Sequence, residues 1–203
     1  MAVGYQMTLD QIASIRIGFP LVRSKTNPYE EGAIKYKVLT LRSFTNEINP
    51  SLEYLDDFFS IKQINSQYLT QLGDIIIRLR TPSNAILIND KQYVGLVVPS
   101  VMSVIRIKDF NLVDSEFLVN YLNSKIIQNT LNKDAKGSSI QMIPNSALLN
   151  LNIILPSLEE QQGVVRYIKL ANEEVHILQK IIVEKTKLKN EIFQTIIINN
   201  QGA

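Results

Sequence analysis

Hydrophobic and polar positions change period several times along the chain, and each change marks an element. Residues 8–17 read as a capped helical turn, Thr8-Leu-Asp-Gln-Ile-Ala13, running into a short strand around Ser14-Ile-Arg-Ile17. Gly18 and Pro20 then open a loop that polar residues and Pro28 extend to about Gly32. Ile34, Tyr36 and Val38 alternate with Lys35 and Lys37, the period-two signal of a half-buried strand with a cationic solvent face, continuing to Leu41. Residues 43–70 are polar and poorly periodic, which predicts a long surface excursion with a few local turns. Order resumes at Gly73-Asp74. Ile75-Ile-Ile-Arg-Leu-Arg80 reads as a strand ending at Thr81-Pro-Ser-Asn84, and Ala85–Ile88 with Tyr93–Val98 as a hairpin around Asn89-Asp-Lys-Gln92. Val101–Ile107 supplies another strand, so these segments predict a bent antiparallel sheet, closed or half closed into a barrel.

The period then lengthens. Asp114 or Ser115 caps a helix whose Phe117, Leu118, Tyr121, Leu122, Ile126 and Ile127 form one apolar face to pack on the sheet. A polar loop, Asn132–Ser139, leads through Ile140–Pro144 and an Asn145-capped turn to a last strand, Leu151-Asn-Ile-Ile-Leu155. Pro156 stops that strand, and Ser157 with Glu160 three residues on makes a capping box, with Glu159 beside it favourable to the helix dipole. Beyond the box runs one helical pattern of about forty residues, which at 1.5 Å per residue extends about 60 Å. Val164, Ile168, Ala171, Val175 and Leu178 step by four, three, four and three, the heptad spacing of a coiled-coil seam. The seam stutters where Ile181 and Ile182 compete and Lys185 intrudes, then resumes through Leu188, Ile192 and Ile196. A helix that long exceeds what a domain of this size covers, so it needs a partner. The expected architecture is α+β: a bent antiparallel sheet or half-barrel with packed helices over residues 1–156, and one long C-terminal coiled-coil helix over 157–203.

Composition narrows the functions. A hydrophobic content of 45% supports a core, and no apolar run approaches the roughly 18 residues of a membrane span. The first ten residues lack the charged-then-apolar pattern of a secretory signal, which places the protein in the cytoplasm without a membrane partner. Zero cysteines exclude disulfides and thiolate chemistry, and a lone His176 excludes multi-histidine zinc sites, so no metal is expected. The net charge of +2 is too mild to announce a nucleic-acid binder, but its distribution is uneven. Arg16, Arg23, Lys25, Lys35, Lys37 and Arg42 face only Glu30 and Glu31, whereas Glu47, Glu53, Asp56 and Asp57 follow without a base. That run predicts a basic and an acidic side of one domain.

Catalytic patterns are missing. Asn27-Pro28-Tyr29 is similar to the Asn-Pro-Pro-Tyr element of adenine-N6 methyltransferases but lacks its second proline, and no glycine-rich strand-to-helix turn exists to hold a cofactor. His176 is remote from any serine in a turn, and the acidic pairs are adjacent rather than convergent. Neither catalysis nor a cofactor is expected. Binding groups are better placed. Alternate residues of a strand point alike, so Arg78 and Arg80 share a face, followed by Thr81, Ser83 and Asn84, which suit phosphates or base edges and equally a solvent-facing strand end. Lys133, Lys136, Ser138, Ser139 and Gln141 make a second polar, basic loop.

Four segments in order carry a resemblance: Leu9-x-x-Ile-Ala-x-Ile-x-x-Gly18, Gly73-Asp-Ile-Ile-Ile77, Lys136-Gly-Ser-Ser-Ile-Gln141 and Leu155-Pro-Ser-Leu-Glu-Glu-Gln161. Together, and most specifically through the last, the chain resembles the DNA-specificity subunits of type I restriction–modification systems. The resemblance implies a target-recognition domain reading one half of a bipartite site in double-stranded DNA. It also implies a long helix that pairs as a ruler and docks methyltransferase (modification) subunits and, through them, the restriction subunit. On this reading the DNA-facing groups are Arg23, Lys25, Lys35, Lys37, Arg42, Arg78, Arg80, Ser83, Asn84, Lys136, Ser138, Ser139 and Gln141. The homodimer seam is Val164, Ile168, Ala171, Val175, Leu178, Ile182, Leu188 and Ile192. One recognition domain and one long helix, where full-length members hold two of each, look like a half-subunit or a fragment. Two other classes compete: a coiled-coil adaptor that does not bind DNA, and a small DNA methyltransferase or nuclease.

Overall fold

In the computed structural model, residues 5–45, 48–135 and 142–200 are described, with side chains to residue 195 apart from those of 134 and 135. The chain divides into two compact units, residues 1–161 and 162–203. No helix among the described residues is long and apolar enough to cross a membrane.

The first unit is α+β with open antiparallel sheets, three of them among the described residues. The central sheet has the order β2-β7-β5-β6, from Ala13–Ile17 (β2), Met102–Ile107 (β7), Ile75–Arg78 (β5) and Ala85–Leu87 (β6). Ile75, Ile76 and Ile77 are all completely buried, as an unbroken apolar run bounded by turn residues requires of a strand covered on both faces. Each contributes about 1.5–3 kcal/mol of burial. Ile76, Ile86, Ile88, Met102 and Val104 gather with Leu39, Phe44, Leu96 and Val98 into a core cluster. A two-stranded ribbon pairs β3 (Ile34–Val38) with β4 (Asp56–Ser60), and its Val38 and Phe58 form a second cluster with Ile64 and Val97. Phe19 meets the rings of Phe58 and Tyr68 edge-on at 6.4 and 5.2 Å, which fixes the start of the loop after β2.

The third sheet joins the two ends of the unit. β1 (Tyr5–Thr8) pairs antiparallel with β8 (Asn152–Leu155), matching Tyr5 with Leu155 and Thr8 with Asn152. Between β1 and β2 lies α1 (Leu9–Ile12), whose Thr8 N–H donates to Gln11 Oε1 at 2.8 Å, so the opening capped turn forms as its sequence predicts. Gly18, next after β2, is required by packing. A Cβ there would lie 2.2 Å from the Pro99 carbonyl oxygen and 2.4 Å from that of Val98.

Three expectations need correction. The 43–70 stretch holds a regular strand, β4, because Phe58 packs inward while Asp56 and Asp57 stay exposed, a pattern with no clean alternation. Ala85–Ile88 and Tyr93–Val98 do not form a hairpin with each other. β6 pairs instead with β5, while Val97 is buried and touches Val38 and Leu69 through isolated bridges. The helix after Asp114 is two helices, α2 (Ser115–Asn123) and α3 (Lys125–Ala135), broken at Ser124, whose ψ of 145° is extended. Ser124 ends the first and starts the second: its N–H donates to the Tyr121 carbonyl at 3.0 Å, and its own carbonyl accepts from Gln128 N–H at 2.9 Å. A single turn, α4 (Asn145–Leu149), precedes β8.

The long helix, α5, runs Leu158–Asn200. Its start is the predicted capping box, with Ser157 N–H donating to Glu160 Oε2 at 3.0 Å and Glu160 N–H donating to Ser157 Oγ at 3.3 Å. The Ser157 hydroxyl, which donates to Glu160 Oε2 at 2.8 Å, and then the Ser157 N–H hold the Glu160 carboxyl below its ordinary pKa.

Candidate nucleic-acid interface

The described basic residues that the sequence assigns to DNA fall into two groups. The first lies along the β3–β4 ribbon. Cross-strand pairing sets Lys37 opposite Asp57 and Lys35 opposite Phe59, and the Asp57 carboxylate bridges both amines, at 2.9 Å from Lys35 Nζ and 2.7 Å from Lys37 Nζ. Lys35 also lies 5.8 Å from the Phe59 ring centre. Arg42 reaches Asp56 at 3.9 Å and lies 5.8 Å from the ring centre of Tyr54. Lys25 joins the line because Thr26 N–H donates to the Phe59 carbonyl at 2.9 Å, tying its loop to β4. Arg23 ends a short 3-10 turn, Leu21–Arg23, and is exposed.

This geometry overturns the expectation of separate basic and acidic sides. Two of the acids that follow the basic run in sequence, Asp56 and Asp57, are folded against it, while Glu47 lies outside the described residues. Hydrogen bonds from Lys37 and then Lys35 hold the Asp57 carboxyl below its ordinary pKa. Lys25, Lys35, Lys37 and Arg42 against Asp56 and Asp57 leave a net charge of +2 along the ribbon, carried on exposed side chains.

The second group surrounds the loop after β5. Arg80 is exposed and bridges Met142, and Thr81 Oγ1 bonds Asn132 Oδ1 at 3.1 Å, which brings the loop to the end of α3 beside exposed Lys133. Lys136, Ser138, Ser139 and Gln141 lie outside the described residues. Arg78 and Arg80 differ in setting. Arg78 is half-buried, its guanidinium 5.8 Å from the Phe44 ring centre, its Nε buried without a hydrogen-bond partner, and its pKa pushed below the ordinary value by burial. Ser83 is completely buried, bonding Gln128 Oε1 at 3.0 Å, while Gln128 Nε2 donates to the Ser83 carbonyl at 3.0 Å. In this conformation Ser83 fastens the loop to α3 and presents nothing to solvent. Asn84 is half-buried, and its carbonyl accepts from Arg78 N–H at 3.1 Å.

Amide side chains that sequence reading passed over hold this frame. Asn123 accepts from Ala85 N–H at 2.7 Å and donates to the Ala85 carbonyl at 2.8 Å, clamping the edge strand β6 from α2. Gln161, completely buried, accepts from Asp114 N–H at 2.9 Å and donates to the carbonyls of Leu112 at 3.0 Å and Pro156 at 2.9 Å. The last residue of the Leu-Pro-Ser-Leu-Glu-Glu-Gln signature is therefore a tie that fixes where α5 begins. Asp74 of Gly73-Asp74 is also structural. It takes two bonds from Arg106, at 2.7 and 2.8 Å, and one from Gln71 N–H at 2.8 Å, and the Asp74 contact raises the Arg106 pKa. Gly73 beside it has φ of +86°, which glycine alone adopts without strain.

A family model for the type I restriction modification DNA specificity domain matches residues 6–196. The chain belongs to that family. The DNA specificity domain therefore spans both the sheet unit and most of the long helix. Among solved structures, the HsdS subunit from Thermoanaerobacter tengcongensis matches with a TM-score of 0.60 and 17% identity, over 88% of this chain and 39% of that one. A chain from a structure of type I R-M complex assembly and conformational transition matches with a TM-score of 0.61 and 17% identity, over 90% of this chain and 42% of that one. The type I restriction-modification S subunit from M. genitalium matches with a TM-score of 0.51 and 18% identity, over 92% and 44%. This specificity-domain chain thus spans about two-fifths of the length of each. No curated protein matches it.

The second unit bears the seam residues. Val164, Val175, Leu178, Ile182, Leu188 and Ile192 are exposed, between 44% and 64%, and Ile168 and Ala171 are half-buried. None is buried by the chain itself.

Proposed function

We propose that this chain is a non-catalytic specificity subunit, acting in the cytoplasm, that reads one half of a bipartite double-stranded DNA site and positions methyltransferase and restriction subunits there. Residues 1–156 take the recognition role and residues 157–203 the pairing and docking role. The observation that carries this reading is the family match over residues 6–196, which covers the sheet unit and α5 alike. The basic ribbon and the Arg80–Lys133 corner supply cations for phosphates, and Phe44, stacked under Arg78 and two residues from Arg42, links the two groups. A second copy joins through the apolar stripe of α5, two-fold symmetry makes the two recognition units identical, and the preferred site is an inverted repeat with a fixed spacer.

Selection from a random duplex pool, using the chain assembled with its methyltransferase partner, tests this reading. The expected product is two short inverted half-sites with one spacer length. An asymmetric or contiguous site would overturn the half-subunit arrangement. The adaptor reading is favoured by one observation, the neutralisation of Lys35 and Lys37 by Asp57. Salt separates the two: binding that falls steeply with salt supports phosphate contacts, and no DNA binding at low salt supports the adaptor.

A further inference from the structure

We propose that the loop between β2 and β3 is a base-reading element in which the Tyr29 ring packs on base edges within a DNA groove, while cations behind it take the phosphates. The inference rests on the DNA-recognition reading above and names a determinant within it.

Exposure singles the loop out. Tyr29 is 94% exposed and Val22 93%, more than any other large apolar side chain described, and both belong to the single excursion 18–33. Scattered surface hydrophobics need no explanation, but two nearly bare ones on one loop are a feature. The loop is also built. Ser24 N–H donates to the Leu21 carbonyl at 3.1 Å, and Asn27 Oδ1 accepts from Tyr29 N–H at 3.0 Å. Glu30 N–H donates to the Asn27 carbonyl and Ala33 N–H to the Glu30 carbonyl, each at 3.1 Å, and the Thr26 hydroxyl bonds the Glu30 carboxylate. A turn tied this often holds Tyr29 outward without the ordering cost that a loose loop meets on binding.

Charge assigns the occupant. At the base of the loop, Thr26 is bonded to Phe59, the residue paired with Lys35, which places Lys25, Lys35 and Lys37 there. The tip carries Glu30 and Glu31 beside Tyr29. Carboxylates repel phosphates and accept from the amino groups of cytosine and adenine, and an apolar ring suits the thymine methyl group. Cations behind and an aromatic ring with neighbouring carboxylates in front match a groove edge approached past its phosphates.

The test repeats the random-pool selection with Tyr29→Ala and Tyr29→Phe in the full chain assembled with its methyltransferase partner. Thermal unfolding serves as the control, and no change is expected at a side chain so exposed. With Tyr29→Ala, preference should fall about 5- to 100-fold at one or two adjacent positions of each half-site. The other positions should be unchanged, and Tyr29→Phe should retain the wild-type motif. An unchanged motif with Tyr29→Ala, or uniform weakening at every position, overturns the inference and leaves the DNA reading standing. A wild-type selection that yields no motif overturns both.

Discussion

The two units treat their side chains in opposite ways. In residues 1–161, several polar side chains inside the fold are spent on internal partners: Asp74 on Arg106, Asn123 on Ala85, Gln128 on Ser83, Gln161 on three backbone groups. From residue 172 to residue 195 of α5, the large apolar side chains stay in solvent, Val175 at 52%, Leu178 at 51% and Ile192 at 52% exposed. The first pattern holds the unit together from within. The second is what the proposed pairing through α5 would cover, because burying such side chains is worth about 1.5–3 kcal/mol each and a lone helix forgoes it.

The largest effect that would break this contrast lies in the seam. Replacing Val175 and Leu178 with glutamate should convert a self-associated protein into monomers by light scattering, with the thermal transition of the sheet unit retained. A parent protein that is monomeric and fully folded at high micromolar concentration would remove the reason for the proposed pairing through α5.

Next comes the buried ion pair. Arg106→Ala strands Asp74, whose side chain is 1% exposed, and should cost about 3 kcal/mol in denaturant unfolding. Replacing both residues by apolar ones of similar volume should restore much of that loss, because the unpaired carboxylate is the chief penalty. Equal loss in the double variant would mean that shape, not charge, holds β7 to the Gly73-Asp74 turn.

A third and smaller effect tests the signature glutamine. Gln161→Ala leaves Asp114 N–H and the carbonyls of Leu112 and Pro156 without their partner and should cost about 1–3 kcal/mol. Gln161→Glu keeps the acceptor for Asp114 but places a carboxylate against two carbonyls, so it should be no better at neutral pH and should recover as the acid is protonated. Rescue by glutamate at neutral pH would show that the two donated bonds contribute little.

What the sequence revealed and what it hid divides along the distance between partners. The Ser157–Glu160 box, the alternation of Ile34 to Val38 and the buried run Ile75–Ile77 are local patterns, and all three appear in the fold. Register is not local. Nothing near Lys35 and Lys37 announces that Asp57, twenty residues later, pairs with both, so charge that looked segregated along the chain is matched across two strands. Ser83 looked like a base contact until Gln128, 45 residues away, claimed its hydroxyl. The break at Ser124 was hidden because the apolar spacing runs through it from Leu122 to Ile127. Gln161 had a signal, a polar residue at an inward position of the first turn of a helix, but its partners Leu112 and Asp114 are 49 and 47 residues distant.

The smallest effect concerns the point where the two side-chain regimes meet in sequence, the capping box. Ser157→Ala should cost about 1 kcal/mol, the usual loss for an N-cap hydroxyl. Its pH dependence has a definite sign. The Glu160 carboxyl is held below its unfolded value by bonds from Ser157, so its stabilising contribution is complete above the ordinary glutamate pKa and is lost as pH falls through the depressed folded value. Asp57, lowered by Lys37 and Lys35, adds a loss of the same sign in the acid range. Unfolding midpoints measured from pH 7 downward should therefore fall in the acid range for the parent protein, and less steeply for Glu160→Gln, which keeps an acceptor without a titrating charge. If the two curves are parallel through that range, the capping carboxylate gives α5 no charge-dependent support, and the acid sensitivity belongs to Asp57 and its two lysines.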